Sequence, residues 1–171
     1  MTVMIKKIIQ NGDPVLRNIA KEIPIKDIGT PQIKKLLKDM SEALDTQKDG
    51  VAIAAPQIGI PLRVFIVSGK LFDISGDVDL SHPDLVFINP EITKISKNTS
   101  DEEEGCLSVV GKYGTVSRAS KATVRAFNEN GEVFERGGSG LLAKIFQHEM
   151  DHLNGVLFID KAKDIHNTEQ N

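Results

Sequence analysis

The chain has 171 residues, 40% of them hydrophobic and 26% charged, with a formal net charge of -3. That suits one globular domain, residues 1–171, with enough length for a core and no basic excess with which to grip nucleic acid. No run of 18 apolar residues occurs, the start MTVMIKKIIQNGDP has no adequate apolar core with a small-residue cleavage site, and Cys106 is the one cysteine, so neither a span, a secretion signal nor an internal disulfide is expected, and a reducing, cytoplasmic setting is.

In chain order, residues 3–9 are an apolar run, Asn11-Gly12-Asp13-Pro14 is a turn, and residues 15–20 form a weak helical stretch. This arm reads as framework, with no visible chemistry. Thr30-Pro31 then predicts a helix start, followed by Ile33, Leu36, Leu37, Met40 and Leu44 at helical spacing, with Lys34, Lys35, Lys38, Asp39 and Glu42 on a solvated face. The next stretch, GVAIAAPQIG (50–59), is small and apolar except for Gln57. Small side chains allow close approach of a backbone or a ligand; the stretch is either a packing turn before a strand at 63–67 or part of a site in which the Gln57 amide meets a developing oxyanion.

Residues 69–84 read as a surface excursion that includes a solvated His82, and strands are expected at 85–88 and 91–95 around Asn89-Pro90. The like charges of Asp101, Glu102, Glu103 and Glu104 suggest a solvated turn leading into Gly105-Cys106-Leu107-Ser108. Residues 122–127 and 132–136 flank Asn128-Glu129-Asn130-Gly131, a hairpin signal. Gly137 and Gly138 should break the second strand, and Ser139 should cap the last helix. In that helix Leu142, Phe146 and Leu153 share one face, while Leu141, Ile145, His148 and His152 share another. Asn154-Gly155 stops it, residues 156–159 dock, and the tail from Asp164, with a non-ligating His166, is expected to fray.

The chemistry centres on QHEMDHLNG (147–155). Four residues apart on a helix, His148 and His152 can close on one metal ion, and Glu149, about 60° round the axis from His152, stands beside that ion as a base for its water. A third ligand is scarce downstream: 19 residues follow His152, the one Glu among them is Glu169, and the position six after His152 is Phe158. Cys106 is the best upstream candidate, and a Cys, His, His set leaves a fourth tetrahedral position for water, the catalytic pattern. An inert buried thiol is the other reading of Cys106.

Together GVAIAAPQIG, EGCLS (104–108) and QHEMDHLNG, in this order, resemble the three signatures of bacterial peptide deformylases, with weaker similarity in GDPVLR, YGTVSRA and GVLF. The resemblance implies an α+β fold of antiparallel sheets around a C-terminal helix. It implies a hydrolase that removes the formyl group from N-formylmethionine on nascent polypeptides, releasing formate. Cys106, His148 and His152 would hold one divalent metal, ferrous in the cell, with zinc, nickel or cobalt also suited to the site. Glu149 would be the general acid/base, with the Gln57 side chain and the Leu107 N–H on the oxyanion. Gly50, Val51, Ala52, Gly105, Leu141 and Ile145 would bind substrate, with Val51, Leu141 and Ile145 around the Met side chain, and Arg118 would pair with an acid such as Asp151.

Two departures stand out. Ala52 replaces a usual Gly beside the expected substrate path, and Val110 replaces a usual Pro after the Cys106 loop. They motivate a second reading, a metal-dependent amidase on another N-blocked substrate. A third reading, a non-catalytic metal-binding module, suits the retained base poorly. Transient ribosome contact is a further expectation, although the short tail has no match to the longer C-terminal helix through which some relatives dock.

Overall fold

The computed structural model describes residues 4–72 and 82–168. Helix α1 (Pro31–Asp45) begins where Thr30-Pro31 predicts, with Thr30 Oγ1 accepting from the Ile33 N–H at 3.5 Å. Pro at the first helical position loses no hydrogen bond there. Ile33, Leu36, Met40, Ala43 and Leu44 are buried.

Strands β1 (Ala52–Ala54), β2 (Val64–Val67), β3 (Leu85–Ile95), β6 (Lys121–Phe127) and β7 (Val133–Ser139) form an antiparallel sheet in that order. Strands β4 (Thr99–Cys106), β5 (Val109–Ala119) and β8 (Lys163–Asn167) form a second antiparallel sheet. Helix α2 (Leu141–Leu153) packs on β1, β6 and β7 of the first sheet and on β5 of the second. The architecture is α+β, with antiparallel sheets around the C-terminal helix, as expected.

The larger sheet is covered on both faces at β1 and β2, which is why their sequence is continuously apolar instead of alternating. Ile53, Val64, Ile66 and Ile88 pack with α1, while Ala52, Ala54, Phe65, Val67 and Phe87 pack with Ala143, Ile145, Phe146 and Leu153 of α2. Phe65 stacks on Phe87 at 4.6 Å between ring centroids, and Phe146 meets Phe87 edge-on at 5.4 Å. This aromatic set fixes α2 against the sheet and so fixes what its opposite face presents.

Several expectations are corrected. The acidic run 101–104 is part of β4, and Glu104 is buried; its partners, described below, outweigh the like charge of its neighbours. Gly137 and Gly138 do not break β7, which pairs with β6 as far as Ser139. A Cβ on Gly138 would lie 2.8 Å from Leu142 Cγ, so glycine there lets α2 approach the strand. Ser139 does not cap α2; Gly140 does, at φ 56, without a side-chain hydrogen bond. Asn89-Pro90 bulges β3 without ending it, the Asn89 amide exchanging two 2.8 Å hydrogen bonds with the Ile23 backbone. The helical stretch at 15–20 is a short 3-10 turn, Pro14–Arg17. Beyond Asp164 the chain is paired instead of frayed, with Tyr113 opposite His166 and Lys112 opposite Asn167. Of the excursion at 69–84, Gly69–Phe72 is a 3-10 turn, and residues 73–81 lie outside the described residues, as does Glu169. Among the described residues no helix is long and apolar enough to cross a membrane.

Candidate metal centre

Two elements bring three candidate ligands together. The end of β4 carries Cys106, α2 carries His148 and His152 one turn apart, and one candidate ligand atom from each lies within 4.8 Å of the others. Cys106 Sγ stands 3.3 Å from His152 Nε2. His148 Nδ1 bonds Glu104 Oε1 at 2.9 Å, which leaves Nε2 as the ring atom for an ion. A thiolate with two imidazoles is a donor set for a borderline-soft divalent metal.

The surrounding charge favours a cation. Burial opposes protonation of His148, yet hydrogen bonds to Cys106 and Glu104 and the charge of Glu149 push its pKa up to about 10. Burial, and then the charges of His148 and Arg118, hold His152 neutral, with its pKa well below the ordinary value. The His148 ring is thus held between Cys106 and the Glu104 carboxylate, in the cluster where a divalent ion would sit. The residues present fit a metal.

Glu149 is buried on the same helix. Burial is the main reason its pKa is raised to about 7, and Glu149 Oε2 is buried with no hydrogen-bond partner among the described residues. An unpartnered carboxylate oxygen beside the ligands is available to a water or a leaving amine. Gln57 is also buried, and its amide is oriented by its partners: Oε1 accepts from the Ala54 N–H at 2.9 Å, while Nε2 points to Ser108 Oγ at 3.2 Å and Cys106 Sγ at 3.7 Å.

Beside these groups opens a cavity of about 660 Å³. Gly50, Val51, Ala52, Gly105, Leu141 and Ile145 all line it, together with Gln57, Cys106, Leu107, His148 and Glu149. His152 lies behind this wall, 1% exposed. Gly105 has a steric reason: a Cβ there would stand 2.7 Å from the Tyr113 ring. His166 is outside the cluster of candidate ligands and exposed, its Nδ1 against Asp164 O at 3.0 Å.

Three side chains that support the candidate site were not singled out by the sequence. Glu104 orients His148 and accepts from Arg118 at 2.8 and 2.9 Å, and Arg118 also donates to Asp151 at 2.7 Å. The expected Arg118–Asp151 pair therefore exists as one half of a buried chain. Ser108 is fully buried against Gln57. Gln147 donates to Ala119 O and accepts from Ala119 N, both at 2.9 Å, stitching α2 to the end of β5. A signal for Glu104 was available: in a strand it lies two residues from Cys106, on the same side.

A family model described as polypeptide deformylase matches residues 5–168. The chain is 45% identical over 159 residues to a curated peptide deformylase of Carboxydothermus hydrogenoformans, covering 93% of this chain and 94% of that one. A solved peptide deformylase from Legionella pneumophila superposes with TM-score 0.80 at 41% identity, covering 94% and 88% of the two chains. The class I type b enzyme of Acinetobacter baumannii, solved with Met-Ala-Ser bound, gives TM-score 0.82 at 32% identity, covering 94% and 99%. A match that runs the length of the chain and takes in both the ligand-bearing turn and α2 means that this chain belongs to the peptide deformylase family.

Proposed function

We propose that the cavity beside Cys106, His148 and His152 is where this chain, a metal-dependent hydrolase of the deformylase family, removes the N-formyl group from the initiator methionine of new polypeptides and releases formate. The observation that supports it most is the unpartnered Glu149 oxygen beside three converging metal ligands at the wall of an apolar-lined cavity. In this reading Cys106 Sγ, His148 and His152 Nε2 hold one divalent metal, ferrous iron in the cell. When bound, the metal would supply a nucleophile at neutral pH and polarise the formyl oxygen.

The chain's own residues do the rest. Glu149 takes a proton from the attacking water and delivers it to the departing amine; a pKa near 7 suits both transfers. Gln57 Nε2 and the Leu107 N–H donate to the oxygen that gains charge. The Gln57 amide is held in place by its Oε1 on the Ala54 N–H, and donation to the oxyanion would replace its long 3.7 Å contact to Cys106 Sγ. Gly50, Val51, Ala52 and Gly105 border the peptide path, and Val51, Leu141 and Ile145 surround the methionine side chain. The substrate is a formylmethionyl nascent chain met in the cytoplasm, with transient ribosome contact. The Met-Ala-Ser held by the Acinetobacter enzyme is what deformylation of formyl-Met-Ala-Ser leaves behind.

The direct test is formate release from formyl-Met-Ala-Ser by protein purified without oxygen and loaded in parallel with iron, nickel or zinc. Turnover with a strong preference over acetyl-Met-Ala-Ser is expected; equal rates on the two would point to a general amidase instead. Leu141 is 46% exposed at the cavity, so Leu141→Ala removes apolar contact with substrate at little cost to the fold. We expect KM to rise about five- to tenfold with kcat little changed. An unchanged KM would remove Leu141 from the methionine pocket.

A further inference from the structure

The segment Ile9–Asn11, read from sequence as framework, touches both loops that carry the assigned oxyanion donors. The Ile9 N–H donates to Gln57 O at 2.7 Å, and the Asn11 N–H donates to Ser108 O at 2.8 Å. Between them, Gln10 Nε2 donates to Leu107 O at 2.9 Å, and Gln10 Oε1 accepts from the Val110 N–H at 3.4 Å. Three consecutive residues thus join the Gln57 loop to the Cys106–Val109 turn. We infer that Ile9–Asn11 is a positioning strap for the oxyanion site, and that Gln10 is the positioning residue that holds the Leu107 peptide in register with Gln57.

The Leu107 N–H lies in the peptide joining Cys106 to Leu107. On one side Cys106 is anchored as a ligand. On the other, Gln10 pins the Leu107–Ser108 peptide and Asn11 pins the Ser108–Val109 peptide, so the rotations that would turn the Leu107 N–H away are blocked at both ends. Val110 bears on this too. It is 75% exposed, so little side-chain packing restrains it, and its free N–H gives Gln10 a second handle that a proline at that position could not offer. Gln10 itself faces solvent, so replacing it removes hydrogen bonds without opening a core cavity.

This inference rests on the assignment of Gln57 and Leu107 to the oxyanion. The test compares Gln10→Ala, Gln10→Glu and Gln57→Leu with the parent, reading kcat and KM on formyl-Met-Ala-Ser, bound metal per chain, and amide hydrogen exchange of the peptide spanning 106–111. Gln10→Ala should lower kcat about three- to tenfold, the range of one to two net hydrogen bonds, with KM and metal content unchanged and exchange at 106–111 faster. Gln10→Glu keeps the length and an acceptor for Val110 but has no N–H for Leu107 O, and should resemble Gln10→Ala. A kcat cut by Gln57→Leu but untouched by Gln10→Ala would overturn the strap alone. A kcat untouched by Gln57→Leu would overturn the oxyanion assignment and the strap with it. Unchanged exchange at 106–111 in Gln10→Ala would also overturn the strap.

Discussion

Glu149→Ala should lower kcat for formate release by about 10²- to 10⁴-fold, the usual range for a positioned general acid/base, while the protein still binds one metal per chain. The two halves of this expectation come from different features. Metal binding is assigned to Cys106, His148 and His152, whose ligand atoms converge without Glu149. Catalysis is assigned to a carboxyl group whose pKa burial raises to about 7 and whose Oε2 has no hydrogen-bond partner among the described residues. Because no donor among the described residues is bonded to Glu149 Oε2, its removal strands none there, and folding should survive. Formate assays paired with metal analysis on the same samples decide the matter. A variant that keeps more than about a tenth of parental kcat would remove Glu149 from the proton transfers, since even a weak general base contributes more than that. A variant that loses metal would make it a ligand.

The grouping of the candidate ligands was more legible in the sequence than the scaffold around it, for physical reasons. His148 and His152 declare themselves because helical spacing alone makes them neighbours. Cys106 follows by elimination, and the lining residues follow from resemblance. What the sequence concealed were interactions between segments distant in the chain. Glu104 reads as one more solvated acid among four until Arg118, fourteen residues on and opposite Ser100 on the neighbouring strand, reaches along the β4–β5 ladder to it. The C-terminal strand reads as polar tail because β8 is exposed along its length and is held by backbone pairing to β5, which leaves no hydrophobic periodicity to detect. Gly138 reads as a breaker because close packing by Leu142 and an intrinsic turn preference both select the same residue. By contrast α1, whose cap, proline and apolar stripe are all local, appears where the sequence places it.

Arg118→Leu should be strongly destabilising. Arg118 is 4% exposed and holds two carboxylates, Glu104 through two hydrogen bonds and Asp151 through a third, while Lys161 reaches the outer oxygen of Asp151 at 3.0 Å. Replacing a buried pair by apolar residues can be neutral, but removing one partner leaves an uncompensated charge and costs about 3–5 kcal/mol. For a chain of this size that lowers Tm by roughly 6–20 °C. The loss should also reach the metal. Glu104 receives His148 Nδ1 on the same oxygen that Arg118 grips, and loss of such support typically weakens metal binding by about 10- to 100-fold.

Acid titration supplies an independent signature of the same chain. Burial opposes ionisation of Glu104, yet hydrogen bonds from Arg118 and His148 bring its pKa from 4.5 down to about 2. A carboxyl whose pKa is lower in the folded state stabilises the fold above its unfolded pKa and ceases to do so as pH falls through the folded one. The contribution, about 3 kcal/mol by linkage, should therefore be present above pH 4.5 and disappear towards pH 2. In Arg118→Leu most of that acid-dependent loss should be missing, because Glu104 will already have taken up its proton at milder pH. Denaturant unfolding of parent and variant between pH 2 and 7 measures both effects. Parallel pH profiles, or a stability difference below about 1 kcal/mol at neutral pH, would mean that the Glu104–Arg118–Asp151 chain is not what holds His148 to its task.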